Sequence, residues 1–322
     1  MATWGSPDGI SKLAARASKL RLDAAVADVF ARFDADCLGA LLLKGASFEA
    51  WLYPEDEPRL YGDGDVLVAP SDVDAAEKML GALGYARTFD DRSMPSWWRE
   101  HASAWFRERD GVTIDLHRSL PGARVQNDVA WRVLSRDSDT VVVAGRSVPA
   151  LGLPARALHV VLHAAQHGAQ SSRPIAELEL ALATADDDLW RDAAALADEL
   201  GAVDAFVAGL SLRDAGKQLI ARLQLPPGRS VEAALHATTS PPVALGFEQL
   251  ARAQGVHARL EIVWRKLVPP PAFIRHWDAG ASESRLALVQ AYLRRPLWIL
   301  RHAPRGLKAW CRARRAVGAA GR

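Results

Sequence analysis

The sequence is poor in cysteine and has no long uninterrupted apolar run. It contains 2 cysteines in 322 residues, Cys37 and Cys311, and their wide separation fits neither a disulfide framework nor a metal-binding knuckle. No stretch approaches the roughly 18 apolar residues that a membrane-spanning helix needs, so no transmembrane segment is expected. The first twenty residues lack the apolar core of a secretory signal. These absences favour a cytoplasmic location.

The overall composition is that of a folded globular protein. Hydrophobic residues make up 49% of the chain and charged residues 24%, which excludes a disordered or low-complexity protein. At roughly 150 residues per domain, the length predicts about two domains and enough chain for a substantial core.

Acidic residues are missing from the C-terminal end of the chain. Residues 294–322 carry nine arginines and lysines and no acid, whereas residues 1–150 have 18 basic and 23 acidic residues. The net charges of 1–150, 151–293 and 294–322 are −5, −2 and +9, which add up to the formal +2 of the whole chain. The basic tail, residues 294–322, is therefore the place where an anionic partner would bind, either a membrane surface or a nucleic acid. A helix that packs back onto the acidic body explains the same charges, and Pro296 is expected to interrupt that helix.

Strand and helix patterns divide the chain into two parts. Short apolar or alternating runs predict strands in the first part, at 40–45, 64–70, 103–108, 112–118 and 140–145. Asp110-Gly111 joins the third and fourth of these as a hairpin. Beyond residue 151 only helical patterns occur. We predict an α+β fold, with a mixed-sheet domain over 1–150 and a helical domain over 151–322.

Acidic residues occupy two of the predicted strands. Asp63 and Asp65 are two residues apart, so their side chains project from the same face of a strand. Asp115 stands alone between Ile114 and Leu116 in an otherwise apolar strand, where a buried acid is costly without a cation or a partner. Neighbouring carboxylates are also the ligands that Mg²⁺ prefers. The pattern indicates a metal site formed by three acids, although an Asp-x-Asp pair alone is a common chance match.

Several short motifs in order along the chain resemble a known family. They are Leu41-Leu-Leu-Lys44-Gly45, Leu52-Tyr53, Arg59, Asp63-x-Asp65-x-Leu67-Val68, Leu83-Gly84-Tyr85 and Ile114-Asp115-Leu116-His117. Together they resemble the uncharacterised nucleotidyltransferase family of the DNA polymerase β-like superfamily. The resemblance implies a polymerase β-like fold and transfer of an NMP from an NTP, such as ATP, with release of pyrophosphate.

The resemblance also implies roles for individual residues. Asp63, Asp65 and Asp115 would be the catalytic residues and would bind Mg²⁺ or Mn²⁺. Lys44 and Gly45 would contact the triphosphate.

Two further polar residues have alternative interpretations. A guanidinium group matches phosphate oxygens, so Arg59 is either a nucleotide-binding residue or a partner of Glu55 or Glu57 in a surface ion pair. Ser47 either hydrogen-bonds a phosphate or caps a helix, and the capping role is the expected one.

One residue departs from the family pattern. Relatives usually have an apolar residue between the paired aspartates, where this chain has Gly64. Glycine weakens a strand, and this departure keeps open a catalytically silent module that binds a nucleotide or a partner. The basic tail keeps open a toxin-like enzyme that modifies RNA. The acceptor itself, whether a small molecule, a peptide or an RNA, is not identified by the sequence.

Histidines and aromatic residues outside these motifs have two interpretations each. His159, His163 and His167 share one helical face, where they either bind a metal with Glu177 and Glu179 or contribute to packing and substrate contact. Four aromatic residues either stack on a nucleobase or fill the core: Trp97, Trp98, Trp105 and Phe106.

Overall fold

The computed structural model describes residues 12–88, 102–238 and 240–320. They divide into two compact units. The described residues of the first unit lie within 1–89, 101–159 and 183–201, and those of the second within 160–182 and 202–322. Trp97 and Trp98, predicted as core or stacking residues, lie outside the described residues.

Seven strands form one mixed sheet in the described part of the chain. They are β1 (Ala40–Leu42), β2 (Asp63–Val68), β3 (Ala86–Arg87), β4 (Ala102–Arg107), β5 (Val112–His117), β6 (Asp139–Val143) and β7 (Arg146–Ala150). The strand order is β3-β4-β5-β2-β1-β7-β6. β2 runs parallel to β5 and β1 parallel to β7, while the remaining neighbours are antiparallel. β2 and β5 thus lie side by side near the centre of the sheet.

Helices precede, interrupt and follow these strands. Within the first 150 residues they are α1 (Lys12–Ala35), α2 (Ala46–Leu52), α3 (Val73–Ala82) and α4 (Asn127–Arg136). After the last strand come α5 (Leu153–His167), α6 (Ser172–Thr184), α7 (Asp187–Glu199), α8 (Val203–Leu210), α9 (Asp214–Arg222), α10 (Val231–Ala237), α11 (Pro242–Arg252), α12 (Gly255–Leu267), α13 (Pro271–Trp277) and α14 (Arg285–Ala320). The predicted fold class, a mixed sheet with flanking helices followed by a helical region, is confirmed. Among the described helices, none combines the length and apolar character required to cross a bilayer.

Helix α1 covers one face of the sheet. Its apolar side chains Leu22, Val26 and Phe30 are buried in the same core as Val66 of β2 and Ile114 of β5. The apolar residues of β2 and β5 that point to this face alternate with the acids, as period-two strands require. The acids consequently project from the opposite face.

The two-residue strand β3 was not predicted from the sequence, and neither were two longer elements of the sheet region. Strand β7 contains Pro149, which has no N–H group and lowers strand propensity, yet it pairs with β6 along its length and with β1 through Ala150. Helix α4 follows β5 and buries Ala130 and Leu134. In both cases tertiary packing outweighs a weak local pattern.

The predicted interruption at Pro296 is wrong, because α14 continues through Pro296 and Pro304. Just before the first proline, the buried Arg295 donates from Nε to the carbonyl oxygen of Lys266 at 2.8 Å. Its guanidinium group lies over the rings of Phe273 and Trp277, 4.7 and 5.2 Å from their centroids. These tertiary contacts hold the helix where a proline costs one backbone hydrogen bond.

Candidate active site

Strands β2 and β5 bring the predicted carboxylates together. In their parallel pairing Asp65 lies opposite Asp115, and Leu67 lies opposite His117. Residues paired in this way point to the same side of the sheet. The register therefore places a carboxylate of each strand and an imidazole next to one another.

The group that converges consists of Asp65, Asp115 and His117. One ligand atom from each lies within 4.8 Å of the others, and within the described part of the chain this is the one group of three or more such residues. Asp65 and His117 are buried and Asp115 is partly exposed. The His117 Nε2 lies 2.8 Å from Oδ1 of Asp65. This arrangement fixes the orientation of the Asp65 carboxylate.

His117 belongs to the last of the sequence motifs but was not predicted as a site residue. It is two residues beyond Asp115 and therefore on the same face of β5. Its distance from Asp65 depends on the pairing between β2 and β5, which a single strand does not reveal.

Asp63 lies at the edge of this group and is not one of the three converging residues. It begins β2, opposite Thr113, and is only partly buried. Burial and the negative charge of Asp65 raise the pKa of Asp63 above its ordinary value, against the opposing effect of Lys44 and Arg59. The predicted role of Asp63 as a metal ligand stays a prediction.

Lys44 supplies the positive charge next to these acids. Its Nζ lies 2.8 Å from Oδ1 of Asp65. Burial alone would lower the pKa of Lys44, but the charges of Asp65, Asp63 and Asp115 raise it above the ordinary value. Burial would in turn raise the pKa of Asp65, but Lys44 and His117 hold it well below its usual range. At neutral pH the site thus contains a buried ammonium–carboxylate pair.

Gly45 forms a tight turn between β1 and α2. Its φ of 61° lies in the left-handed region, and a Cβ atom here would come within 3.0 Å of the Tyr61 ring. The hydroxyl of Tyr61 donates to Asp23 of α1, which also pairs with Lys19. The turn that carries Lys44 is therefore packed against a side chain anchored in α1.

Arg59 and Ser47 are both buried near this turn. Arg59 is 5% exposed, and its guanidinium group lies 5.6 Å from the centroid of Phe48 and 5.4 Å from that of Tyr61. Arg59 is therefore not in the exposed surface position expected for an ion pair with Glu55 or Glu57. Ser47, in the first turn of α2, is fully buried, and its Oγ makes no hydrogen bond within the described part of the chain. The expected capping role of Ser47 is thus not found.

Gly64 fills a place where a larger residue has no room. A Cβ atom on Gly64 would lie 2.7 Å from Cγ2 of Val26 and 2.9 Å from Cδ1 of Ile114. Both neighbours are core side chains, and Gly64 pairs in regular register with Ile114. Gly64 thus lies where α1 packs close against the sheet.

The strand next to β5 leaves the acidic face open. In the β4–β5 pairing Ala104 lies opposite Asp115, and Phe106 lies opposite Thr113. Phe106 is 40% exposed on this face, whereas Trp105 points the other way into the core. Core packing, one of the two predicted alternatives, applies to Trp105. Phe106 is accessible to a flat ligand, as the other alternative requires.

The three histidines of α5 have different surroundings. His159 is buried against the edge of the Phe48 ring, with centroids 5.4 Å apart. His163 Nδ1 lies 3.9 Å from a carboxylate oxygen of the fully buried Glu177, and its ring is 4.6 Å from that of His167. The other predicted partner, Glu179, pairs with Arg213. In the described ranges these histidines do not belong to a group of three potential metal ligands.

A mixed sheet that presents two carboxylates from adjacent parallel strands, beside a lysine–glycine turn, fits the nucleotidyltransferase class suggested by the sequence motifs. The family model described as "uncharacterised nucleotidyltransferase" matches residues 11–215, more than half of the chain. The protein belongs to this family and is an enzyme of the transferase class, which confirms the resemblance.

Comparisons with solved structures give more distant similarities. The solution structure of the antibiotic-resistance factor ANT(2'')-Ia is 14% identical, with a TM-score of 0.41, over 58% of this chain and 96% of its own. The lincomycin-bound crystal structure of the lincosamide antibiotic adenylyltransferase LnuA is 14% identical, with a TM-score of 0.32, over 48% and 91%. An antigenic nucleotidyltransferase-like protein from Paracoccidioides brasiliensis is 13% identical, with a TM-score of 0.35, over 56% and 92%. No curated protein matches the sequence.

Proposed function

We propose that this protein is a metal-dependent nucleotidyltransferase that transfers an NMP from an NTP to an acceptor and releases pyrophosphate. The observation that supports this reaction is the convergence of Asp65, Asp115 and His117 within 4.8 Å, beside the ammonium group of Lys44. Family membership supports the transferase class, and the residues of the site support the more specific chemistry.

The donor set fits a hard divalent cation such as Mg²⁺ or Mn²⁺. Carboxylate oxygens are the preferred ligands of both ions, and Asp65 and Asp115 offer them from adjacent strands. Asp63 would complete the set, since a cation would offset the burial and the repulsion by Asp65 that together raise its pKa. His117 would act as the group that orients Asp65. When bound, the cation would neutralise phosphate oxygens and assist an in-line displacement at the α-phosphorus.

Side chains of the protein would bind the phosphates of the NTP and accept the proton of the acceptor. Lys44 would exchange part of its pairing with Asp65 for the phosphate oxygens of the NTP, and Arg59 would add a second positive charge. Asp115 would accept the proton of the acceptor hydroxyl as the oxygen–phosphorus bond forms. The bond from the α-phosphorus to the bridging oxygen breaks, and pyrophosphate leaves with that electron pair.

The decisive experiment measures label transfer from each α-³²P NTP, with Mg²⁺ or Mn²⁺, to small-molecule, peptide and RNA fractions. Asp65→Asn and Asp115→Asn should reduce transfer by at least about a thousandfold, since each removes a charge that acts directly on the reacting groups. Asp128→Asn is a matched control, because Asp128 is an exposed acid with a side chain 61% accessible. Full transfer by the Asp65→Asn/Asp115→Asn double variant would exclude the proposed site.

The same assay separates the alternatives. Tight NTP binding by calorimetry with no label transferred to any fraction would indicate a silent binding module. Label found in the RNA fraction, together with a tRNA gel shift, would indicate the RNA-modifying enzyme.

A further inference from the structure

The second unit exposes many large apolar side chains. Seventeen large hydrophobic residues are exposed in the described ranges, and eleven of them lie between residues 256 and 307. Five belong to α12 and the residue after it: Val256, Leu260, Val263, Trp264 and Val268. Trp264 alone leaves 64% of its surface accessible. Exposed apolar residues concentrated in one part of a folded protein mark a candidate place of interaction.

Helix α14 carries the other six in a single stripe. They are Leu286, Val289, Leu293, Leu297, Leu300 and Leu307, with exposures between 43% and 69%. At 3.6 residues per turn they fall within an arc of about 80° along a helix of about 54 Å. The opposite side of α14 is buried within the unit, at Ala291, Arg295 and Ala313. The stripe is thus the outward face of a helix whose inner face is already occupied.

Exposed cations flank this stripe. Five of them fall in an adjacent arc of about 60°: Arg294, Arg301, Arg305, Lys308 and Arg312. Arg285 and Arg314 lie along the other side of the stripe, and Arg315 continues its direction beyond Leu307. No acidic residue occurs between residues 285 and 320. Long arginine and lysine side chains can reach the headgroup level while neighbouring leucines are buried in acyl chains.

We propose that the outward face of α14 docks on an anionic lipid bilayer. α14 would lie in the plane of the interface, with the leucines below the headgroups and the cations against the lipid phosphates. The remainder of the chain is net acidic and would be repelled by the anionic lipid surface, which favours α14 as the element in contact with the bilayer.

Two other occupants fit the stripe less well. A second copy of the chain would place the leucine stripes against each other, but each copy of this helix carries nine basic residues and no acid, so two strongly positive surfaces would be brought together. A nucleic acid would use the cations, yet it offers no apolar surface to cover six leucines and valines. An anionic bilayer satisfies both the apolar and the basic part of the face.

The experiment is flotation of the full chain with vesicles of phosphatidylcholine alone or with 30 mol% phosphatidylglycerol. We expect at least about tenfold more bound protein on the anionic vesicles, and a decrease as salt is raised. Two triple variants should each lose at least about tenfold of that binding: Leu293→Ser/Leu297→Ser/Leu300→Ser and Arg301→Glu/Arg305→Glu/Arg312→Glu. Every substituted side chain is exposed, so circular dichroism should show unchanged folding.

The matched control is Arg16→Glu/Arg132→Glu/Arg146→Glu, which reverses three exposed charges of the first unit and should bind the vesicles like the wild type. Equal losses in this control, or no binding of the folded wild type to anionic vesicles, would overturn the proposal. A dimer abolished by the leucine variant without vesicle binding, or tRNA binding that needs the arginines but not the leucines, would also overturn it. The inference does not depend on the proposed catalytic function.

Discussion

The ammonium nitrogen of Lys44 lies 2.8 Å from Oδ1 of Asp65, the same oxygen that lies 2.8 Å from Nε2 of His117. Lys44 belongs to the turn after β1, Asp65 to β2 and His117 to β5, so three neighbouring segments meet at one carboxylate oxygen. Asp65 is 2% exposed. Water therefore contributes little to balancing its charge, and the contributions of Lys44 and His117 can be tested one residue at a time.

Replacing Lys44 with methionine should leave Asp65 as a buried anion without its ammonium partner. Loss of one partner of a buried pair costs about 3 kcal/mol, and we expect that decrease in the free energy of unfolding at pH 7. The Lys44→Met/Asp65→Asn double variant should be more stable than the sum of the two single effects predicts. Urea denaturation of the four proteins measures the coupling, and strictly additive losses would contradict a direct pair.

The stabilisation that depends on the Asp65 charge should disappear in acid. Because the folded state holds the pKa of Asp65 below its usual range, the charged form stabilises the fold above about pH 4. That contribution is lost as pH falls through the folded pKa. The stability of the wild type should therefore decrease more steeply below pH 4 than that of Asp65→Asn. Denaturation series from pH 7 to pH 2 would show parallel curves if Asp65 did not contribute.

Ionisation of Asp63, unlike that of Asp65, should destabilise the fold. The folded pKa of Asp63 is raised, so its ionised form costs stability at neutral pH, and Asp63→Asn should raise Tm by roughly 2 °C without divalent ions. Added Mg²⁺ should stabilise the wild type more than the variant, if Asp63 binds the ion as proposed. Differential scanning calorimetry with EDTA and with Mg²⁺ measures both effects, and a lower Tm for the variant in EDTA would contradict the first.

The sequence predicts the positions of the acids but not their distances. Short apolar or alternating runs and the Asp110-Gly111 turn were sufficient to predict β2, β4 and β5, and with β2 and β5 the positions of the acids. The role of His117 depends on the pairing of Leu67 with His117, which joins strands about 50 residues apart in sequence and has no local signal. The continuation of α14 through Pro296 could not be predicted either. It is accompanied by the stacking of Arg295 on Phe273 and Trp277, which is a tertiary contact with no local signal.

Phe106 should affect nucleotide binding without affecting the fold. It is exposed on the face of the sheet that carries Asp115, and stacking of a base on an aromatic ring contributes about 1–3 kcal/mol. Phe106→Ala should therefore weaken NTP binding about tenfold by calorimetry and leave Tm unchanged. Trp105→Ala is the contrasting variant, since Trp105 is buried in the core and its loss should lower Tm instead. Unchanged NTP affinity in Phe106→Ala would exclude base stacking at this residue.

Gly64→Ala tests whether close packing accounts for the glycine between the aspartates. The added methyl group would lie 2.7 Å from Val26 and 2.9 Å from Ile114, which is overpacking that costs about 1–3 kcal/mol. Val26→Ala removes the nearer obstruction and creates a cavity of its own, so it should also destabilise the protein when introduced alone. Combined, the alanine at 64 occupies part of the space vacated at 26, and the double variant should be more stable than the sum of the single losses predicts. Urea denaturation measures this rescue, and its absence would show that the approach of α1 at Val26 does not account for the glycine.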